Sequence, residues 1–242
     1  MNLTWSDAPH LTEDEKEEIL SGCLPHERDV VSKGLPQLGS GLIFPVPEED
    51  IVCKPFKIPN HWPRTYALDV GWHKTAAIFG AYDKKEDTWY LYSEYYRGYA
   101  EPSIHADAIK KRGTWMWGVI DPAARGRSSA DGKTLMDIYT QYGLCVYKAD
   151  NAVEAGLLEF YQRLSTGRLK VFNYLHNWLS EFRVYRRDDT GKVAMKQADH
   201  LMDATRYLCM SGKKTLQFEP SEDNGQDSMK VYRPGSDSIT GY

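Results

Sequence analysis

The chain has 242 residues, 41% hydrophobic and 12% aromatic, with a net charge of −4; this allows a sizeable core in one large domain and fits an ordinary soluble globular protein. No apolar run approaches the roughly 20 residues of a membrane span, and the acidic, Trp-containing start is not a signal peptide. The four cysteines, Cys23, Cys53, Cys145 and Cys209, show neither CxxC pairing nor zinc spacing and read as free thiols of a reducing cytoplasm.

The charge is unevenly spread. Residues 1–50 hold eleven Asp/Glu against three Lys/Arg, and 213–242 hold five against four, which leaves 51–212 at +5. A basic middle between acidic ends suits a polyanionic partner.

Residues 1–62 hold few long periodic runs. Thr12-Glu13-Asp14-Glu15 predicts the cap of a short acidic helix running to about Ser21 and ended by Gly22. From Gly34 to Pro63 recurrent Gly and Pro give the composition of an extended linker or wrapping arm. A chain that starts in this way reads as a fragment whose upstream partner domain has been removed.

Arg64 to Gly71 then predicts a buried strand, with Tyr66, Ala67, Leu68 and Val70 apolar around one carboxylate, Asp69. A charge in a core strand costs roughly several kcal/mol unless a partner or a metal holds it. Thr75–Tyr82 and Thr88–Tyr96 are β-rich runs joined by the charged turn Asp83 to Asp87, which predicts an antiparallel meander of three strands. A short helix from Pro102 to Arg112 follows, then a second apolar run, Trp117 to Ile120, ending in Asp121. Three helical faces come next: Leu135, Ile138, Tyr139 and Tyr142; Val153, Leu157, Phe160, Tyr161 and Leu164; Leu175, Trp178, Leu179, Phe182 and Tyr185. Strands at Leu144–Lys148 and Leu169–Phe172 separate them. Arg186 to Met195 reads as a hairpin with Asp189-Thr190-Gly191 at its tip, 199–210 as the last helix, and 213–242 as a disordered tail. An antiparallel meander followed by alternating helices and strands is the strand plan of the RNase H superfamily. The expected fold is therefore α/β: a mixed sheet of five or more strands flanked by helices, with the first and fourth strands side by side.

On the last helix, at ~100° per residue, Asp199, Asp203, Arg206 and Tyr207 share one face with His200 just beyond it. Leu201, Ala204, Thr205 and Leu208 take the opposite side. A solvated polar face would explain this helix alone, but Asp69 and Asp121 need partners too. Phosphodiester hydrolysis needs a nucleophilic water and a stabilised leaving oxygen, and two divalent cations ~3.5–4 Å apart serve both. Hard Mg²⁺ or Mn²⁺ prefers carboxylate oxygen. Asp69 would bridge two such ions, Asp121 would bind one and Asp203 the other, with His200 as an auxiliary ligand. Taken alone, His200 reads as a structural histidine.

Asp199 reads as the helix cap, while Asp83, Asp87, Asp188 and Asp189 read as turn residues. Gly132-Lys133-Thr134 is no phosphate-binding loop, because Arg127 stands where a glycine is required. From Tyr161 to Arg187 the chain carries six Lys/Arg against a single acid, Glu181, and of these Arg163 and Arg168 read as solvated surface. Arg186, Arg187, Lys192 and Lys196 on the hairpin, placed by chain connectivity beside Asp203, read as DNA phosphate contacts.

These residues resemble one family. Ala67-Leu68-Asp69-Val70-Gly71, Ile120-Asp121-Pro122-Ala123 and Asp199-His200-Leu201-Met202-Asp203-Ala204-Thr205-Arg206-Tyr207 look like the three acidic motifs of the nuclease domain of the large terminase subunit, the DNA-packaging motor of tailed bacteriophages. Thr4-Trp5-Ser6-Asp7-Ala8-Pro9-His10-Leu11 and Gly34-Leu35-Pro36-Gln37-Leu38-Gly39-Ser40-Gly41 look like that motor's inter-domain linker. The resemblance implies an endonuclease that cuts concatemeric double-stranded viral DNA at the start and end of head filling. It implies Mg²⁺ or Mn²⁺, two ions, on Asp69, Asp121 and Asp203, and action in the host cytoplasm. It further implies an ATPase domain of the same full-length protein, absent from this sequence, with portal protein and small terminase subunit as partners. The chain then divides into a linker or wrapping arm (1–62), the nuclease domain (63–212) and a flexible tail (213–242) that docks on the portal. Another RNase H-fold nuclease, such as a resolvase or transposase, and a non-catalytic portal- or DNA-docking module stay open as alternatives.

Overall fold

The computed structural model describes residues 12, 15–16, 41–125, 134–188, 190–194 and 197–220. Most of the expected acidic helix lies outside them. Its start is visible: Glu15 N donates to Thr12 Oγ1 (3.3 Å) and Thr12 N donates to Glu15 Oε2 (2.8 Å), a reciprocal cap.

The elements run α1 (Glu48–Ile51), β1 (Val52–Cys53), β2 (Arg64–Asp69), β3 (Thr75–Asp83), β4 (Thr88–Arg97), α2 (Pro102–Lys110), β5 (Trp117–Ile120), α3 (Leu135–Gln141), β6 (Cys145–Lys148), α4 (Val153–Ser165), β7 (Leu169–Phe172), α5 (His176–Val184) and α6 (His200–Ser211). Short 3₁₀ turns follow β5 (Pro122–Arg125) and α6 (Gly212–Thr215). The strands form one seven-stranded sheet in the order β1-β7-β4-β3-β2-β5-β6. The meander β2-β3-β4 is antiparallel, and β5 lies parallel beside β2, as the strand plan requires.

Helices cover both faces, which is why the central strands read as continuous apolar runs. Side chains alternate between the faces. Ala67, Ala76 and Ile78 join Phe160, Trp178, Leu201, Ala204 and Leu208 of α4, α5 and α6 in one core. Tyr66, Leu68, Ala77 and Phe79 join Ala106, Ile109 and Tyr139 of α2 and α3 in the other. Gly80 of β3 lets α6 come close, since a Cβ there would stand 3.1 Å from Leu208 and 3.0 Å from Trp89. No helix among the described residues is long and apolar enough to cross a membrane.

Four findings depart from the sequence reading. From Leu42 onward the arm is part of the domain: Phe44, Ile51 and Ile58 are buried, and β1 adds a parallel edge strand to β7. The residues after Gly212 do not leave the domain at once either. Thr215 is 1% exposed, its hydroxyl shares a 2.7 Å hydrogen bond with Thr65, and Gln217 pairs with Arg64 through both backbone groups (2.7 and 3.0 Å). Arg163 is no solvated surface residue; it is buried, with Nε 2.7 Å from Glu159 and Nη1 3.6 Å from Asp87. Asp87, read as an idle turn residue, gathers Arg168 (2.9 Å), Lys213 (2.8 Å) and the Tyr82 hydroxyl. Burial opposes its ionisation, but Lys213, Tyr82 and Arg163 together hold the carboxyl well below its ordinary range.

A chain ending at Gly212 should therefore melt below the full chain by about 4–8 °C, given about 2 kcal/mol for the lost buried hydrogen bonds. A chain ending at Pro220 should melt with it. Scanning fluorimetry checks both, and equal melting of all three would mean that the 212–217 segment adds nothing to the fold.

Candidate metal-binding active site

The chain leaves β2 and β5 at the same end of the sheet. Leu68 and Ile120 are register partners, and the next residues are Asp69 and Asp121. Asp121 N donates to Leu68 O (2.9 Å), and Asp121 Oδ1 accepts from Ala123 N (2.9 Å), which pins the carboxylate at the strand end. Helix α6 packs across β2 and β3 and brings its polar face to this edge. His200 Nδ1 donates to Asp69 Oδ2 at 2.8 Å, and the Tyr207 hydroxyl donates to Asp121 Oδ1 at 3.2 Å. Arg206 donates to Asp203 Oδ1 through Nε (3.2 Å) and Nη2 (3.0 Å). Arg206 itself is buried, and Gly156 of α4 makes room for it, since a Cβ there would stand 2.6 Å from its Cγ.

Asp199 does not cap α6: its side chain makes no cap bond. Glu181 of α5 has that role, its Oε2 accepting from Leu201 N (2.6 Å) and Met202 N (3.3 Å). Glu94 of β4 does the same for α5, accepting from Asn177 N (3.0 Å) and Trp178 N (2.9 Å). Orphan N–H groups of a helix start favour a carboxylate, and here it arrives from a neighbouring element. Glu181 was legible only as the lone acid in a basic stretch. Its position between Trp178 and Phe182 on the apolar face of α5 was the available signal.

The cluster is electrostatically strained. Burial pushes the Asp69 carboxyl up, and the charges of Asp203 and Asp121 push it further, against the hydrogen bond from His200. Burial and then Asp203 push Asp199 up to about 6. His200 is raised, first by its hydrogen bond to Asp69. Electrostatic interactions thus link the four aspartates and His200.

Among the described residues no three His, Cys, Asp or Glu already stand together as an ion cage. The donor set nevertheless fits hard divalent cations. Asp69 Oδ1, Asp121 Oδ2 and Asp203 Oδ2 have no hydrogen-bond partner among the described residues, while the second oxygen of each is held by His200, Tyr207 or Arg206.

The hairpin after α5 forms as expected. Arg187 bridges to Val193, and Gly191 takes the left-handed conformation at φ +80°. Arg186 and Lys192 are exposed, whereas Arg187 is tied to Glu154 (2.7 and 3.0 Å) and to Gly191 O (2.7 Å). Tyr185, at the base of the hairpin, is buried, which pushes its hydroxyl up, and the charges of Asp203 and Asp199 push it further. Lys196 lies outside the described residues.

A sheet of this order, with acidic residues at the ends of its two central parallel strands, defines an RNase H-like domain. The chain belongs to the family described as the Terminase RNaseH-like domain, whose profile matches residues 66–211. It is 34% identical over 221 residues to the large terminase subunit of Enterobacteria phage LP7, covering 86% of this chain and 45% of that protein; it thus spans less than half the length of this curated relative. The nuclease domain of the P22 large terminase superposes with a TM-score of 0.68 at 32% identity, over 74% of this chain and 96% of that domain. The large terminase nuclease of thermophilic phage G20c with bound cobalt shares the fold at TM-score 0.51 and 12% identity, over 72% and 98% of the two chains.

Two outcomes follow from the strain and the cap. Asp69→Asn should raise the melting temperature in chelator at pH 7, because it removes a buried charge among like charges; a lower melting temperature would mean that the His200 pair outweighs the repulsion. Glu181→Ala should lower stability in urea denaturation by about 2–3 kcal/mol, since it leaves two buried N–H groups without acceptors, and Glu181→Gln by less.

Proposed function

We propose that this chain is the nuclease domain of a phage large terminase subunit, a metal-dependent endonuclease that cuts concatemeric double-stranded DNA during genome packaging. The observation that carries the reading is the convergence of Asp69, Asp121 and Asp203 from β2, the β5 end and α6 on one edge of the sheet. The P22 nuclease domain supports the activity, and the cobalt named for the G20c nuclease supports a divalent ion.

Asp69, Asp121 and Asp203 would hold two Mg²⁺ or Mn²⁺ ions, with His200 auxiliary. Bound there, such ions lower the pKa of an attacking water and stabilise the leaving oxygen. The chain's own residues do the rest. His200 orients Asp69 through Oδ2 and leaves Oδ1 free; Tyr207 does the same for Asp121 and Arg206 for Asp203. Arg206 also offsets the charge of the Asp203 carboxylate. On the hairpin, Arg186 and Lys192, with Lys196, contact DNA phosphates, and Arg187 chiefly braces the hairpin against α4 through Glu154. The chain spans 45% of the LP7 relative's length, and an ATPase domain of the same full-length protein would take up part of the rest. Portal protein and small terminase subunit complete the proposed assembly, in the host cytoplasm, with residues beyond 220 as the portal-docking tail.

Supercoiled plasmid with Mg²⁺ or Mn²⁺ tests the reading: the full chain should nick it, and Asn at position 69, 121 or 203 should abolish nicking without loss of fold. His200→Ala should lose about 10–100-fold, as an auxiliary ligand does. Equal nicking by wild type and the three Asp variants would remove the metal site from the reaction. Each phosphate contact adds roughly 0.9 to the slope of log affinity against log salt, so Arg186→Ala with Lys192→Ala should flatten it by about 1–2. An unchanged slope would move the DNA path off the hairpin.

A further inference from the structure

Two large aromatic side chains stand exposed beside the acidic edge. Trp72, three residues after Asp69 in the β2–β3 turn, is 61% exposed, and Tyr99, just past the end of β4, is 70% exposed. They are not loosely placed. Their rings meet edge to face at 6.5 Å, Tyr99 N donates to Trp72 O (3.0 Å), and the Tyr99 hydroxyl bonds His73 Nδ1 (3.1 Å). Gly98 lies so close to the first turn that a Cβ would stand 2.0 Å from His73 O. Tyr99 is held at φ +51°, a left-handed conformation that a bulky residue seldom adopts. The fold therefore accepts a strained backbone and the exposure of two apolar rings to keep this pair in place, and strain of that kind collects at ligand sites.

The surroundings indicate which ligand. Lys74 Nζ lies 4.2 Å above the Tyr96 ring, and Tyr96 is 6.5 Å from the His200 ring, so a cation and an aromatic link the pair to the Asp69–His200 contact. Exposed Arg97 sits opposite Thr75 in the β3–β4 register, at the foot of the same turn. Aromatic faces flanked by cations bind nucleobases by stacking while the cations take the phosphates. In intact duplex the base faces are covered by their neighbours. The bases open to stacking are those at an end or in a frayed strand, which is what cleavage at Asp69 would create a few residues away.

We propose that Trp72, braced edge to face by Tyr99, is a stacking platform that holds an unpaired base of the DNA strand at the cut end, with Lys74 and Arg97 on its phosphates. The inference deepens the nuclease reading and rests on it for the identity of the polymer. The platform binds the end that cleavage leaves and takes no part in the chemistry, so it is measured without metal.

The test uses the full chain in chelator with two DNAs: a blunt duplex, and the same duplex carrying a three-nucleotide overhang with 2-aminopurine. Wild type should quench the 2-aminopurine and bind the overhang DNA more tightly than the blunt one. Trp72→Ala and Tyr99→Ala, with melting curves unchanged, should lose the quench and weaken overhang binding about tenfold, leaving blunt binding within about twofold. Trp72→Phe should keep the quench. Asp121→Ala should keep it too, and a wild-type chain that quenches yet fails to nick plasmid with Mg²⁺ would remove the nuclease reading while upholding the platform. No preference for the overhang in wild type, or equal losses on both DNAs in the Ala variants, would overturn the platform.

Discussion

Like charges crowded at the edge of a core are the constraint on which this domain's acidic edge depends. Asp69 ends a strand whose preceding four residues are fully buried, and Asp121, Asp203 and Asp199 all lie within electrostatic reach of it or of each other. Without compensation such a cluster would open the end of the sheet. The fold compensates with cationic and hydroxyl donors on three of the four carboxylates: His200 on Asp69, Arg206 on Asp203 and Tyr207 on Asp121. All three donors stand on α6, so the position of one helix sets the electrostatics of the whole edge.

The seating of α6 depends in turn on carboxylates elsewhere, the half-buried Glu94 and the buried Glu181. Glu94 on β4 accepts from the first amides of α5, and Glu181 on α5 accepts from the first amides of α6. Sheet, α5 and α6 are linked in series through helix starts, where aligned peptide dipoles favour negative charge. Burial pushes Glu181 up, and the Leu201 and Met202 amides together with Tyr96 push back. The local residues at both helix starts, Leu175 and Asp199, supply no side-chain cap bond, so both helices depend on tertiary partners for their first turns. Apolar packing completes the seating, with Leu201, Ala204 and Leu208 against the sheet and Gly80 removing the side chain that would keep them off.

Much of this was legible in the chain. The meander, the parallel partner strand and the helical faces followed from alternation and from the 3.6-residue period, because burial on two sides of a sheet and on one face of a helix leaves those marks. Asp69 and Asp121 stood out because a carboxylate inside or just after an apolar strand is expensive without a reason. The face of α6 could be computed because helical geometry is local. The acidic motifs themselves carried the family resemblance.

What only the tertiary structure decided are the pairings between residues far apart in the chain. Nothing local distinguishes Glu181 from a surface acid, Asp87 from a turn residue or Arg163 from a solvated cation; each is defined by partners on other elements. The same holds for the chain ends, where Ile51 and Thr215 look like linker and tail in composition, yet one is buried beside β7 and the other against Thr65, 150 residues away. Short segments of this kind carry no period of their own, and their order comes entirely from the surface they dock on. Periodicity and anomalous charges are properties of a sequence, whereas the satisfaction of a buried donor, acceptor or charge is a property of whatever the fold brings beside it.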